Sequence, residues 1–235
     1  MINVDRIYQR VLTLANKEQR GYITPQEFNI FANQAQMDIF EQYFYDLNQF
    51  IRTPGNSTMH ADMVDILEEK ISFFEVTGNL TLATAQQVSS GNLDTLDRFY
   101  RLSSVRRRNL ILESVSRKDF RLFPNSPLAA PTATRPIYMV DTVNNTIQIA
   151  GRTFGNIDID FIQSPRLVNW TYVVVGEKAL YNESAIDAQN FDLHPSEETD
   201  LVMKILTLAG FTLKDAALYQ AAAGEDMKNT QQEKQ

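Results

Sequence analysis

The 235-residue chain contains no cysteine, which removes disulfide frameworks, thiolate metal sites and cysteine nucleophiles together. The absence points toward an intracellular origin without requiring one. Histidine is almost as scarce, with only His60 and His194. His60 follows the Pro54-Gly55 break and His194 precedes Pro195, so both read as loop or cap residues without the partner pattern that catalysis or zinc binding needs. The nine glycines are scattered, and no GxGxxG, phosphate-loop lysine or serine nucleophile elbow occurs among them. Basic residues are not in excess. The 22 Lys and Arg stand against 29 Asp and Glu, a net charge of −7, which argues against a general nucleic-acid coat and for a soluble chain. No stretch approaches the ~20 apolar residues of a membrane-spanning helix. The amphipathic N-terminus, with Asp5, lacks the layout of a signal peptide. There is no internal repeat, and the one strongly polar run is Asn229 to Gln235.

What is present is ordinary globular composition, 43% hydrophobic and 22% charged, enough for one generous domain or two small ones. The stretch NKEQRGYITPQEF, Asn16 to Phe28, matches a calcium-binding EF-hand loop in outline. Laid on that loop, Asn16, Glu18, Tyr22, Thr24 and Glu27 take ligand positions and Gly21 the bend, but Arg20 puts a permanent cation where an oxygen ligand belongs. With Lys17 it also cancels Glu18 and Glu27, so no metal or other cofactor is expected. Thr24-Pro25-Gln26-Glu27 reads more economically as a capping box, Thr24 and Glu27 being its two partners, with proline at the first helical position and Ile23 and Phe28 as a hydrophobic staple.

Val4, Ile7, Tyr8, Val11, Leu12 and Ala15 recur at helical spacing and predict a first helix to about Asn16. A second runs from the Thr24 cap to about Ile51, with Phe28, Phe31, Ala32, Ala35, Ile39, Tyr43, Phe44 and Leu47 in one broad stripe. Phe40, Tyr45 and Phe50 widen that stripe, which fits either a thick core or a subunit interface. A break at Thr53 to Ser57 precedes a third helix expected to end near Gly78. The period then changes. Arg98 to Val105 and Asn109 to Val115 read as strands around Arg106-Arg107-Arg108, and Ser116 as the cap of a short helix, Arg117 to Phe123. The triple arginine is either a solvated turn or a contact for phosphate or an acidic partner surface.

Ile137 to Thr142 and Thr146 to Ala150 predict a hairpin around Asn144-Asn145. Ile157, Ile159 and Phe161 alternate with Asp158 and Asp160 as a strand with one wet face, and Tyr172 to Val175 with Ala179 to Tyr181 complete the β-rich centre. Helix returns after Pro195, with Gly210 as the expected stop and a last helix from Thr212. In that last segment Leu213, Ala217 and Ala221 offer a small-residue face for close approach to another chain. The expected fold class is α+β: a bundle of N-terminal and C-terminal helices with a central β-rich insertion. Its parts would be residues 1–78 helical, 79–193 β-rich, 194–228 helical with a partner arm, and 229–235 a polar tail. Carboxylate pairs such as Glu68-Glu69 and Glu197-Glu198 fit solvated helix ends, and a carboxylate-dependent hydrolase has no motif here to carry it.

Three runs carry a resemblance: SPLAAPTATRPIYMV, IDIDFIQSPRLVNWTY and FDLHPSEETDLVMKILTLAGFTLKDAALYQAAA, together with the opening NKEQRGYITPQEFN. The chain resembles head–tail connector or ring proteins of short-tailed bacteriophages, of the crAss-like and related groups. The resemblance covers most of the chain, with Leu80 to Arg98 contributing least. It implies a non-enzymatic virion subunit, repeated twelve-fold around the tail axis below the portal protein, in contact with other tail or ring proteins. Genomic DNA would pass through without sequence recognition and without a membrane. It also implies localisation at the portal vertex, after assembly in the host cytoplasm.

Overall fold

Helical periodicity at the start of the chain becomes helix in the structure, a computed structural model that describes residues 1–17, 23–52, 58–85, 88–107, 110–151, 155–176 and 178–212. The architecture is mixed α and β. Helix α1 (Val4–Lys17) buries Val4, Ile7, Tyr8, Val11 and Ala15, a single helical stripe. Helix α2 (Pro25–Arg52) opens at the proline and buries Phe28, Ala32, Ala35, Ile39, Phe40 and Tyr43. Helix α3 (Thr58–Ser72) stops short of Gly78.

The expected helix end at Gly78 is corrected: that glycine lies within the first strand. Its role there is close packing, since a Cβ would stand 2.8 Å from Leu96 Cδ2 and 3.0 Å from the Phe161 ring. The strand β1 (Glu75–Thr81) is followed by β2 (Ala83–Ala85), β3 (Val88–Asn92), β4 (Phe99–Arg107), β5 (Leu110–Ile111) and β6 (Glu113–Ser114). Helix α4 (Arg117–Leu122), β7 (Ile137–Asp141), β8 (Thr146–Ala150) and β9 (Asn156–Gln163) come next, and then β10 (Tyr172–Val175), β11 (Lys178–Tyr181) and α5 (Glu198–Thr212).

The chain divides into two compact units, Met1–Phe73 with Pro165 onward, and Phe74–Ser164. In the second, a four-stranded antiparallel sheet of order β1-β9-β4-β5 and a five-stranded sheet of order β2-β3-β8-β7-β6 enclose one core. Leu80, Val105, Ile157, Ile159 and Phe161 from the first sheet meet Tyr138, Ile147 and Ile149 from the other. The alternation of β9 decides its orientation, Ile157, Ile159 and Phe161 inward and Asp158 and Asp160 on the opposite face. The second sheet is covered on its other face too, where Phe120 of α4 packs with Ile137, Met139 and Ala150. Ser116 caps α4, its hydroxyl accepting from the Asp119 N–H at 3.2 Å. Between β7 and β8, Asn145 takes the left-handed conformation at φ 48°.

The other unit holds α1, α2, α3, α5, the β10–β11 hairpin and a long irregular return. Expected divisions at 78/79 and 193/194 therefore fall instead at 73/74 and 164/165. The physical reason is that residues 165–193, read as part of the β-rich centre, are bound to α2 through its side chains. Trp170, in that return, is 1% exposed and lies between Tyr8, at 4.3 Å, and Tyr172 and Tyr181, each at 5.8 Å between ring centroids. Its indole N–H donates to Asp5 Oδ1 at 2.9 Å. Helix α5 continues through Gly210 to Thr212, so the stop expected at Gly210 is corrected: one glycine costs a helix about 1 kcal/mol and need not end it.

Candidate functional site

The capping box stands at the start of α2. Glu27 N–H donates to Thr24 Oγ1 at 3.3 Å and Thr24 N–H donates to Glu27 Oε2 at 3.0 Å, the reciprocal pair that satisfies two otherwise unpaired helix-end donors. The Thr24 hydroxyl also donates to Glu27 Oε2 at 2.8 Å. These bonds, the backbone N–H first and the hydroxyl next, hold the Glu27 carboxyl below its ordinary range. Ile23 and Phe28 are both buried, and the Tyr8 hydroxyl donates to the Ile23 carbonyl at 3.2 Å. The carboxylate that an EF-hand would turn to a metal is thus engaged with the helix end. Asn16 to Tyr22, the rest of that loop, lie outside the described side chains. Among the described residues no group of three or more His, Asp and Glu side chains could hold a metal ion.

A second constellation, absent from the sequence reading, is a ladder of amides on α2. Asn33 Oδ1 accepts from Val168 N–H at 2.7 Å and its Nδ2 donates to the Val168 carbonyl at 3.0 Å. Asn29 Oδ1 accepts from Trp170 N–H at 2.8 Å. Gln36 Nε2 donates to the Arg166 carbonyl at 2.7 Å, while its Oε1 accepts from Asp192 N–H at 3.0 Å. Three amides one or two turns apart on one helix face therefore read alternate residues of an extended segment, as a neighbouring β-strand would. The signal was present in the sequence as amides at i, i+4 and i+7 beside the buried Ala32 and Ala35.

The arginine run is divided. Arg106 and Arg107 end β4, and Arg108 lies outside the described residues. Arg106 is not free for phosphate: its guanidinium lies 2.5 Å from Asp160 Oδ1. Asp160 also accepts from Ser104 at 2.6 Å and Thr77 at 2.7 Å. Burial works to raise the Asp160 carboxyl, and the bonds from Ser104, Arg106 and Thr77 outweigh it and hold the carboxyl below its ordinary range. The group is a polar ladder across β1, β9 and β4.

Of the three aromatic interface candidates on α2, Phe40 is corrected to core, with 0% exposure and an edge-on contact to Phe44 at 5.1 Å. The stripe is wide because α3 and α5 both pack on α2. Phe50 is half-buried, and Tyr45 is 63% exposed. Leu213, Ala217 and Ala221 lie outside the described residues.

His194 caps the 3-10 turn Pro195–Glu197, its Nδ1 accepting from Ser196 N–H. The Ser196 hydroxyl is 2.8 Å from His194 Nδ1 and donates to Glu197 Oε1 at 3.3 Å. A hydrolytic relay places the acid on the imidazole, not on the serine; here Glu197 is buried and held by Lys70 Nζ at 2.6 Å. The group is a cap and an ion pair. Between α1 and α5 lies a groove of about 560 Å³ floored by Leu14, Val202 and Met203. Arg6 and Arg10 on its rim converge on Glu198 at 3.0 and 2.6 Å.

Among the described residues no helix is long and apolar enough to cross a membrane. No family model matches the chain, and no curated protein matches it.

Proposed function

We propose that the chain is a non-enzymatic virion protein, a subunit of the head–tail connector ring that joins a portal to a short phage tail and lets DNA pass. The reading rests on the sequence resemblance of the runs from Ser126, Ile157 and Phe191. In it the terminal helices form a bundle carrying the β-rich unit as an insertion. About twelve copies surround the channel at the portal vertex, and neighbouring tail or ring proteins complete the joint.

The observation that carries this reading furthest is apolar surface left uncovered on well-formed elements. Ile30, Tyr45 and Ile51 of α2 are each more than 60% exposed, and Val173, Val174, Val175 and Leu180 of the β10–β11 hairpin are 49–64% exposed. Single exposed apolar side chains are ordinary, but a cluster on one small element marks a surface to be covered. The constellations that hold titratable groups, at Glu27, Asp160 and Glu197, are each engaged in structural hydrogen bonds or ion pairs. A channel wall needs no base recognition, so free DNA is expected to bind weakly and with steep salt dependence. The test is co-expression with the portal protein of the same genome, followed by mass measurement. A portal complex carrying a full ring of this chain supports the reading, and a chain that stays separate from the portal removes it.

A further inference from the structure

We infer that residues 213–235 fold back along α5 and close the groove between α1 and α5 of their own chain, setting Glu225 and Asp226 against Arg6 and Arg10. The groove, of about 560 Å³, belongs wholly to the helical unit. Its floor is open: Leu14 is 42% exposed and Met203 is half-buried. Beyond its first turn α5 carries one charge, Lys204, and a helix apolar nearly all round is normally covered nearly all round. Thr199, Met203 and Thr207, four residues apart, form an uncharged stripe along it. The Thr207 hydroxyl already donates to the Met203 carbonyl at 2.9 Å, so a partner with small apolar side chains can lie there without stranding it.

Reach, order and tether select the occupant. Residues 213–235 are the one long stretch outside the described residues, the others being a few residues each, and they leave from α5 itself. Thr212 lies about 21 Å along the helix axis from Glu198, at ~1.5 Å per residue. A turn of about three residues and a helix from Ala216 to Asp226 return ~15 Å of that distance. The side chains of a glutamate and an arginine span the remainder. The residue order fits the same path. Ala216 to Gly224 carry no charge and are mostly alanine, which suits close approach along Thr207 and Met203, and Glu225-Asp226 follow.

At the far end the groove is cationic. Arg6 Nε and Arg10 Nη1 meet the same oxygen of Glu198, at 3.0 and 2.6 Å, while 64% and 48% of their side-chain surface stays exposed. Two cations thus share one carboxylate, and an acidic pair arriving there balances the surplus charge. A fatty acid or the acidic helix of another protein has similar complementarity, but this segment is joined to the groove's own wall, at an effective concentration in the ~mM range. Ala217 and Ala221, whose small side chains suit close approach to another chain, would then approach α5. The inference is independent of the connector reading.

Because the native sequence has no cysteine, introduced pairs test the contact in the full chain. Thr199→Cys, at an exposed site, is combined in turn with Ala223→Cys, Met227→Cys or Thr230→Cys, three positions on one face of a helix. Mild oxidation is expected to cyclise at least one pair within the monomer roughly tenfold faster than the same partner with Ile30→Cys in place of Thr199→Cys. Adding Glu225→Lys and Asp226→Lys to the fastest pair is expected to slow it severalfold. Pairs no faster than the control, or a rate indifferent to the lysines, overturn the inference. Disulfide-linked dimers in place of cyclised monomers would move the segment to the groove of a second copy and overturn it too. So would alkylation of Thr199→Cys by N-ethylmaleimide as fast as that of Ile30→Cys, which would leave the groove open for a separate ligand.

Discussion

Replacing Asn33 by leucine tests the amide ladder, because leucine keeps the branch at Cγ and removes the hydrogen bonds. Val168 is 2% exposed, so water cannot take over its N–H and carbonyl once the Asn33 bonds at 2.7 and 3.0 Å are lost. Each polar group stranded in this way costs about 1–3 kcal/mol. Two of them give about 2–5 kcal/mol after some gain from the added apolar burial. For a chain of this size that lowers the melting temperature by about 5–15 °C. Thermal unfolding measures the loss, and hydrogen exchange at residues 166–170 locates it. Asn48→Leu is the control: that amide is exposed and donates only to the Phe44 carbonyl of its own helix, so its effect stays within about 0.5 kcal/mol. An Asn33→Leu protein that melts within about 1 kcal/mol of the parent, with residues 166–170 still protected, would refute the ladder as a structural clamp.

Thr24→Ala removes the capping hydroxyl and should cost about 1 kcal/mol in denaturant unfolding, equally with and without calcium; a loss seen only with the ion would restore the metal reading. Gly91→Ala should destabilise the Phe74–Ser164 unit, because a Cβ there would come within 2.6 Å of Leu80 Cδ2 and 2.8 Å of Leu82 Cδ2, and overpacking typically costs about 1–3 kcal/mol. A stability unchanged by the methyl group would show that the two leucines can move aside. The depressed Asp160 carboxyl contributes stability that is present above its unfolded value near 3.8 and is lost as pH falls through the lower folded value. Acid unfolding of Arg106→Leu should therefore depend less on pH in that range than the parent does, and identical acid profiles would contradict the ion pair's contribution.

Local chemistry was the legible part of the fold. Thr24 to Phe28 encode a helix start through cap, proline and staple, and Ser116 does the same for α4, because all the partners lie within a few residues of one another. The alternation of Ile157, Ile159 and Phe161 gave the face of β9 for the same reason. Long-range choices were hidden. Residues 165–193 contain short β-like runs, and their attachment to α2 depends on Asn29, Asn33 and Gln36, which in sequence are unremarkable helix amides. Phe40 could be read as interface or core because the number of neighbours packing on α2 is not written in its own periodicity. Gly78 and Gly210 look like helix stops in sequence, although a glycine can equally make room for Leu96 and Phe161 or sit within a helix. The basic run at Arg106 reads as a solvated turn or a partner contact because its carboxylate, Asp160, lies far along the chain.

The most direct test of the connector reading is native mass measurement of the full chain, alone and after co-expression with the portal protein of the same genome. The account predicts a complex in which the portal carries a closed ring of about twelve copies of this chain, in keeping with ring symmetry. A chain that remains unassociated while the portal forms its own ring beside it would contradict the account.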